Sequence, residues 1–229
     1  MNWLSKQILK RPQTPGKLRS ITVLIYLAGV AGIAISFTRE WFVMLIPFIL
    51  LFSAGLIGYE RLVIHRIAFS RNDVFFMVFV YVVSFSVELI GVNTGFPFGR
   101  YQYGTGLGFK VFGTPLIIGI NWLLLVICSS ALFEKINGII FKVVLASLAM
   151  VGYDLVMEQV SCHMDIWCWT YRTAPMRNFE AWFVLAVFFH SIKAFLKISF
   201  PSSIARWIFF AQFGFFVSLY FYFIVLKAV

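Results

Sequence analysis

Apolar runs of about 20 residues, most of them free or nearly free of charge, recur along this chain, and no other feature restricts its folding so tightly. Ser20–Thr38, bounded by Arg19 and Arg39, is the first, and Trp41–Tyr59 the second. About 20 such residues in a helix match the ~30 Å hydrocarbon core of a bilayer. Five more follow: from after Asp73 to about Val92, Val111–Phe133, about Gly138 to about Gln159, about Phe179–Ser199, and Trp207–Leu226. The sixth carries Lys193 and Lys197, whose ammonium groups must snorkel to the interface. A chain crossing lipid must satisfy its backbone internally, as helices do. The short alternating segments of a membrane β-barrel are absent from the sequence. Charged residues make up 12% of the chain, where a water-soluble domain has about 25%. The expectation is an all-α, polytopic membrane helix bundle with about seven transmembrane helices, forming a single integral-membrane domain over residues 1–229.

The first apolar run is too long for the core of a cleaved signal peptide and is expected to be retained. Orientation follows from the Lys and Arg residues at the ends of the runs. With the N-terminus inside, 13 of the 19 Lys and Arg fall on the inner side, among them those of the basic segment 1–19. The chain is therefore expected to be a multi-pass protein of the cell (inner) membrane with a cytoplasmic N-terminal segment. The same placement accounts for the net charge of +10 without nucleic acid as a partner. Cys162 and Cys168 share one loop and can pair in an oxidising compartment. Six-residue spacing alone does not require it, and free thiols are the expectation.

The polar residues inside the runs are few and placed together. Glu88 lies near the end of the third run, roughly 6–8 Å below the outer surface at ~1.5 Å per residue. Asp154 and Glu158, four residues apart, share one face of the fifth, which ends on the same side. The loops Asn93–Lys110 and Cys162–Asn178 cap that side with Tyr101, Tyr103, Trp167 and Trp169. Ionisable groups inside a membrane are costly and mark function by default. For Glu158, nearer the interface, a structural role competes on equal terms. His163 and Asp165 are expected in an ordinary wet loop, His190 as a satisfied bundle histidine, and Trp41, Trp182 and Trp207 in interfacial belts. Asn121, beside Trp122, is expected to bond a neighbouring helix, with pocket lining as the alternative.

Acids in a dry, aromatic-lined pocket suit one kind of chemistry. Burial and a second nearby acid favour the protonated form of a carboxyl group, which then serves as a general acid. Aromatic faces stabilise cations. Together these fit protonation of a carbon–carbon double bond in a hydrophobic polyene or isoprenoid entering from the bilayer. Water quenches the cation in a hydration; an internal double bond quenches it in a cyclisation.

The stretches VELIGVNTGFPFGRYQYG, LGFKVFGTPLIIGINW and GYDLVMEQV followed by WCW resemble the carotenoid 1,2-hydratase family, which takes in the bisanhydrobacterioruberin hydratases. The resemblance covers about Val87–Trp169. The chain departs from it at Glu158-Gln159, where the family usually has an acid followed by proline. The resemblance implies a hydro-lyase without an organic cofactor, adding water to the terminal C1=C2 bond of an acyclic, lycopene-like carotenoid dissolved in the membrane. Other enzymes of the carotenoid pathway are then possible partners, besides the lipid bilayer itself. In this scheme Asp154 donates the proton, Glu88 orients water and takes its proton, and Glu158 tunes Asp154 or exchanges roles with Glu88. Asn93, Thr94, Tyr101 and Tyr103 hold water or close the mouth. Phe96, Phe98, Trp122, Trp167 and Trp169 line the polyene path, and Asn121 and Asp165 complete the substrate-binding set. No metal is called for.

Other classes fit less well. A lycopene cyclase would use the same carboxylates. A prenyltransferase needs two Asp-rich motifs, and an opsin needs a lysine within the last span, which Trp207–Leu226 lacks. A transporter stays open, but it would spread polar residues through the depth of the bundle.

Overall fold

The computed structural model describes residues 16–200 and 202–226. Most of the basic N-terminal segment and Lys227 lie outside the described residues. Among the described residues, eight α-helices form the bundle: α1 (Gly16–Ala34), α2 (Arg39–Met44), α3 (Ile46–Tyr59), α4 (Arg71–Thr94), α5 (Ile118–Leu132), α6 (Ile139–Val160), α7 (Met176–Phe195) and α8 (Ser203–Tyr220). Wider π-helical turns extend α3 to Ile64 and α8 to Leu226. Among the described residues, five helical segments are long and apolar enough to cross a membrane: Gly16–Ala34, Ile46–Ile64, Arg71–Thr94, Ile139–Val160 and Ser203–Leu226. An all-α membrane bundle is what such helices build.

Local chemistry accounts for where the helices depart from the expected runs. The second run breaks at Leu45, because Pro47 in the first turn of α3 has no N–H to continue α2. The fourth, expected from Val111, becomes helical only at Ile118. Its first residues form a hairpin, β2 (Lys110–Val111) against β3 (Thr114–Pro115), around Phe112 and Gly113 at φ 48° and 83°. Two positive φ values in succession make the turn that matches strand twist. The resulting 15-residue α5 is apolar but short. It is mostly buried and packs against α3, α4, α6, α7 and α8. The sixth run begins earlier than expected, at Met176, and ends at Phe195. Arg177 and Glu180 in its first turns and Lys193 near its end keep α7 outside the five.

α4 has defined ends. Ser70 caps it reciprocally with Asp73, and Asp73 also pairs with Arg61 at 2.6 Å. Gly95 stops it in the left-handed conformation at φ 79°, where only glycine avoids a steric penalty. The chain then turns back over the bundle as β1 (Tyr101–Tyr103), antiparallel to β4 (Trp167–Trp169). Side chains alternate across a strand. Tyr101, Tyr103, Trp167 and Trp169 therefore all point into the bundle, and Gln102 points out. Cys162 and Cys168 form a disulfide, against the expectation of free thiols: the turn between α6 and β4 brings their Cα atoms to 4.6 Å. Cys128 is free and buried.

Candidate active site

Glu88 comes from the last two turns of α4 and is 4% exposed. The Tyr101 hydroxyl donates to its Oε2 at 2.5 Å and the Tyr103 hydroxyl to the same oxygen at 2.8 Å. Trp122 Nε1 on α5 donates to Oε1 at 2.9 Å. Gly91, one turn along α4, makes room for this arrangement. A Cβ there would lie 2.8 Å from Phe98 Cδ2 and 3.0 Å from the Tyr101 hydroxyl oxygen. Burial, with the adjacent Glu88 charge adding to it, pushes the Tyr101 and Tyr103 hydroxyls well above the ordinary tyrosine range. Both remain proton-bearing donors at any physiological pH.

Glu158 has a parallel set of partners. Trp167 Nε1 and Trp169 Nε1 donate to its Oε2 at 3.0 and 2.5 Å, so β4 holds Glu158 as β1 holds Glu88. Asn178, in the first turn of α7, joins Glu158 to Asp154. Its Nδ2 lies 3.2 Å from Glu158 Oε1 and 2.9 Å from Asp154 Oδ2. Asp154 is fully buried, and its Oδ1 has no hydrogen-bond partner among the described residues.

Glu88 and Glu158 line one small cavity with Phe98, Tyr101, Tyr103, Ile118, Asn121, Trp167, Trp169, Asn178 and Trp182. Its free volume is about 20 Å³, room for about one water. A second cavity of about 230 Å³ adjoins it, and Asn121 and Trp167 belong to both walls. The larger cavity is apolar, lined from α1, α3 and α8 by such residues as Ile33, Ile49, Leu50 and Phe216. Ala28 and Leu45, also in its lining, are exposed on the outside of the bundle. The Asn121 carboxamide makes no hydrogen bond to a neighbouring helix, contrary to expectation; it faces the cavities without a partner among the described residues.

Four of the sequence candidates stand apart from this cluster. Asn93 donates to the carbonyls of Leu89 and Phe112, and Thr94 to that of Ile90; both are exposed. Phe96 is 72% exposed. The Asp165 carboxylate accepts from Thr105 N and Oγ1 at 2.8 and 2.6 Å, tying two loops together. Asp154 adjoins the small cavity through Asn178 but does not line it. His190, as expected, is satisfied within the bundle, by Ser129 and the Ala186 carbonyl. Two residues were missed. Trp182 is buried, not an interfacial belt residue, and stacks on Trp122 with ring centroids 4.1 Å apart. Asn178 was readable only as the end of a loop. Its signal was an amide entering an apolar run at the same end as the acids.

A family model described as "Carotenoid biosynthesis protein" matches residues 40–229, most of the chain and every residue of the acid cluster and the small cavity. The chain belongs to the carotenoid biosynthesis protein family. A curated relative is the bisanhydrobacterioruberin hydratase of Haloarcula japonica, 25% identical over 119 residues. That alignment covers 46% of this chain and 39% of the relative, so well under two thirds of the relative's length is represented. No solved structure matches the chain. Family membership and this distant relative support a carotenoid-modifying role.

Proposed function

We propose that the chain is a carotenoid hydratase that adds water across the terminal C1=C2 double bond of an acyclic, lycopene-like end group. The observation that carries this reading is the one-water cavity walled by Glu88 and Glu158 at the end of an apolar one. The polyene enters between α1 and α3, past Ala28 and Leu45, and its end reaches Asn121 and Trp167. The Asp154/Glu158 pair supplies a proton to C2. A C2–H bond forms, the π pair is consumed, and the positive charge develops on the tertiary carbon C1. The Trp182 ring, backed by Trp122, and the Tyr–Trp sheet present aromatic groups to that charge. Water held by Glu88 and the Asn121 carboxamide attacks C1, forming the C1–O bond. Glu88 takes the extra proton, and its return to the acid pair closes the cycle. Three hydrogen bonds hold Glu88 in place for this role, as a base requires.

The proposal extends to topology. α5 and α7 complete seven spans around the five long helices, with the N-terminus inside and the acid cluster near the outer surface, in the cell membrane.

The test is expression in a lycopene-producing host, with mass analysis of the extracted pigment. The wild type is expected to add one water per modified end. Glu88→Gln and Asp154→Asn are each expected to abolish that gain while the protein still inserts. A product of unchanged mass bearing a ring would assign the site to a cyclase. Full hydration by both amide variants would sink the role assignments.

A further inference from the structure

The opposite end of the bundle holds a cavity that the acid chemistry does not use. Its free volume is about 280 Å³, larger than the apolar one, and its walls come from α5, α6, α7 and the segment after α7. Lys142, Lys193 and Lys197 line it, with Glu134 as the one carboxylate. That carboxylate is already shared with Arg206 at 4.0 Å. None of the three lysine ammonium groups makes a hydrogen bond or ion pair among the described residues. Ser130 and His190 also line the wall, with the Ser130 hydroxyl donating to the Ile127 carbonyl and both His190 ring nitrogens already bonded within the bundle. Along α6, Lys142 lies 16 residues before Glu158, about 24 Å away at ~1.5 Å per residue.

Three unpaired cations facing one space repel one another and call for an anion. The C-terminal end of α7 favours Lys193 and Lys197 nearby, but a helix dipole does not fill a cavity. Ile139, also in the lining, opens α6, whose first turn has neither an acidic residue nor a side-chain cap. Its free N–H groups attract negative charge as well. Exposed apolar side chains stand close by in sequence: Ile139, Ile140 and Phe141 on α6, and Phe195 on α7. A charged pocket rimmed by apolar surface suits a headgroup whose chains lie along the helices.

We propose that this cavity binds a phosphate group, with Lys142, Lys193 and Lys197 as its ligands. An anionic phospholipid headgroup and a free phosphate share this chemistry. Native mass spectrometry of the purified full chain in neutral detergent distinguishes them, using phosphatidylglycerol, phosphatidylcholine and inorganic phosphate as probes. The expected result is selective retention of phosphatidylglycerol over phosphatidylcholine, weakening roughly fivefold for each lysine neutralised in K142Q, K193Q and K197Q. Lys193→Arg, which keeps the charge, retains the lipid. If inorganic phosphate binds alone and displaces the lipid, the occupant is the free anion and the site still stands. Equal retention of both lipids with no phosphate bound overturns the proposal. So does undiminished selectivity in the triple variant at unchanged helical content. The wild-type comparison decides the matter even if the triple variant fails to fold.

Discussion

Asn178 is the residue on which the acid pair depends. One amide nitrogen serves both Asp154 and Glu158, and no other donor reaches Asp154 among the described residues. Asn178→Ala leaves two buried carboxyl groups of one helix face without that clamp. Loss of one preorganised donor from a dry site costs roughly 10²-fold in turnover. That loss is expected in kcat, with KM little changed, because Asn178 does not line the apolar cavity. Pigment turnover by membranes carrying the variant checks this; a change confined to KM would give Asn178 a substrate-binding role.

Between α4 and the β1–β4 sheet, the fit is set by the small residue at position 91. Gly91→Leu drives a side chain into Phe98 and Tyr101, and overpacking of this kind costs ~1–3 kcal/mol. Because the displaced hydroxyl is a Glu88 donor, hydration should fall along with thermal stability in detergent. Loss of stability with full activity would show that the Tyr101–Glu88 contact is not needed. On α3, Ile49→Trp tests the apolar cavity without touching the acids. Filling that space is expected to lower kcat/KM at least about tenfold, equivalent to ~1.4 kcal/mol. An unimpaired Ile49→Trp enzyme would place the polyene path elsewhere.

Across the whole molecule, the proposed seven-span, N-inside arrangement would put the acid cluster and the lysine cavity on opposite faces of the membrane. Tyr171, 85% exposed in the loop before α7, and Lys135, exposed between α5 and α6, report on the two faces. Tyr171→Cys should react with an impermeant maleimide in intact cells, and Lys135→Cys only after permeabilisation. Reversed labelling would invert the topology and move the acid cluster to the inner face.

Much of this was legible in the chain. Of the seven apolar runs read as spans, five are helices long and apolar enough to cross a bilayer among the described residues, because lipid leaves a spanning backbone little alternative to the helix. Three acids at matching depths in runs three and five put the candidate site at one end, since helix rise converts residue number into depth. The alternation in YQY and WCW was also present, but which strand pairs with which is a long-range matter: β1 and β4 are separated by more than 60 residues. Their pairing carries Tyr101 and Tyr103 to Glu88, and Trp167 and Trp169 to Glu158, while Asn93 and Thr94 on the last turn of α4 and Phe96 just after it stay exposed. The Cys162–Cys168 disulfide, the Asn178 clamp, the Trp122–Trp182 stack and the free carboxamide of Asn121 depend in the same way on which side chains meet across separate elements. Periodicity and hydropathy describe each element's environment; partners across the bundle follow from packing, which no local stretch encodes.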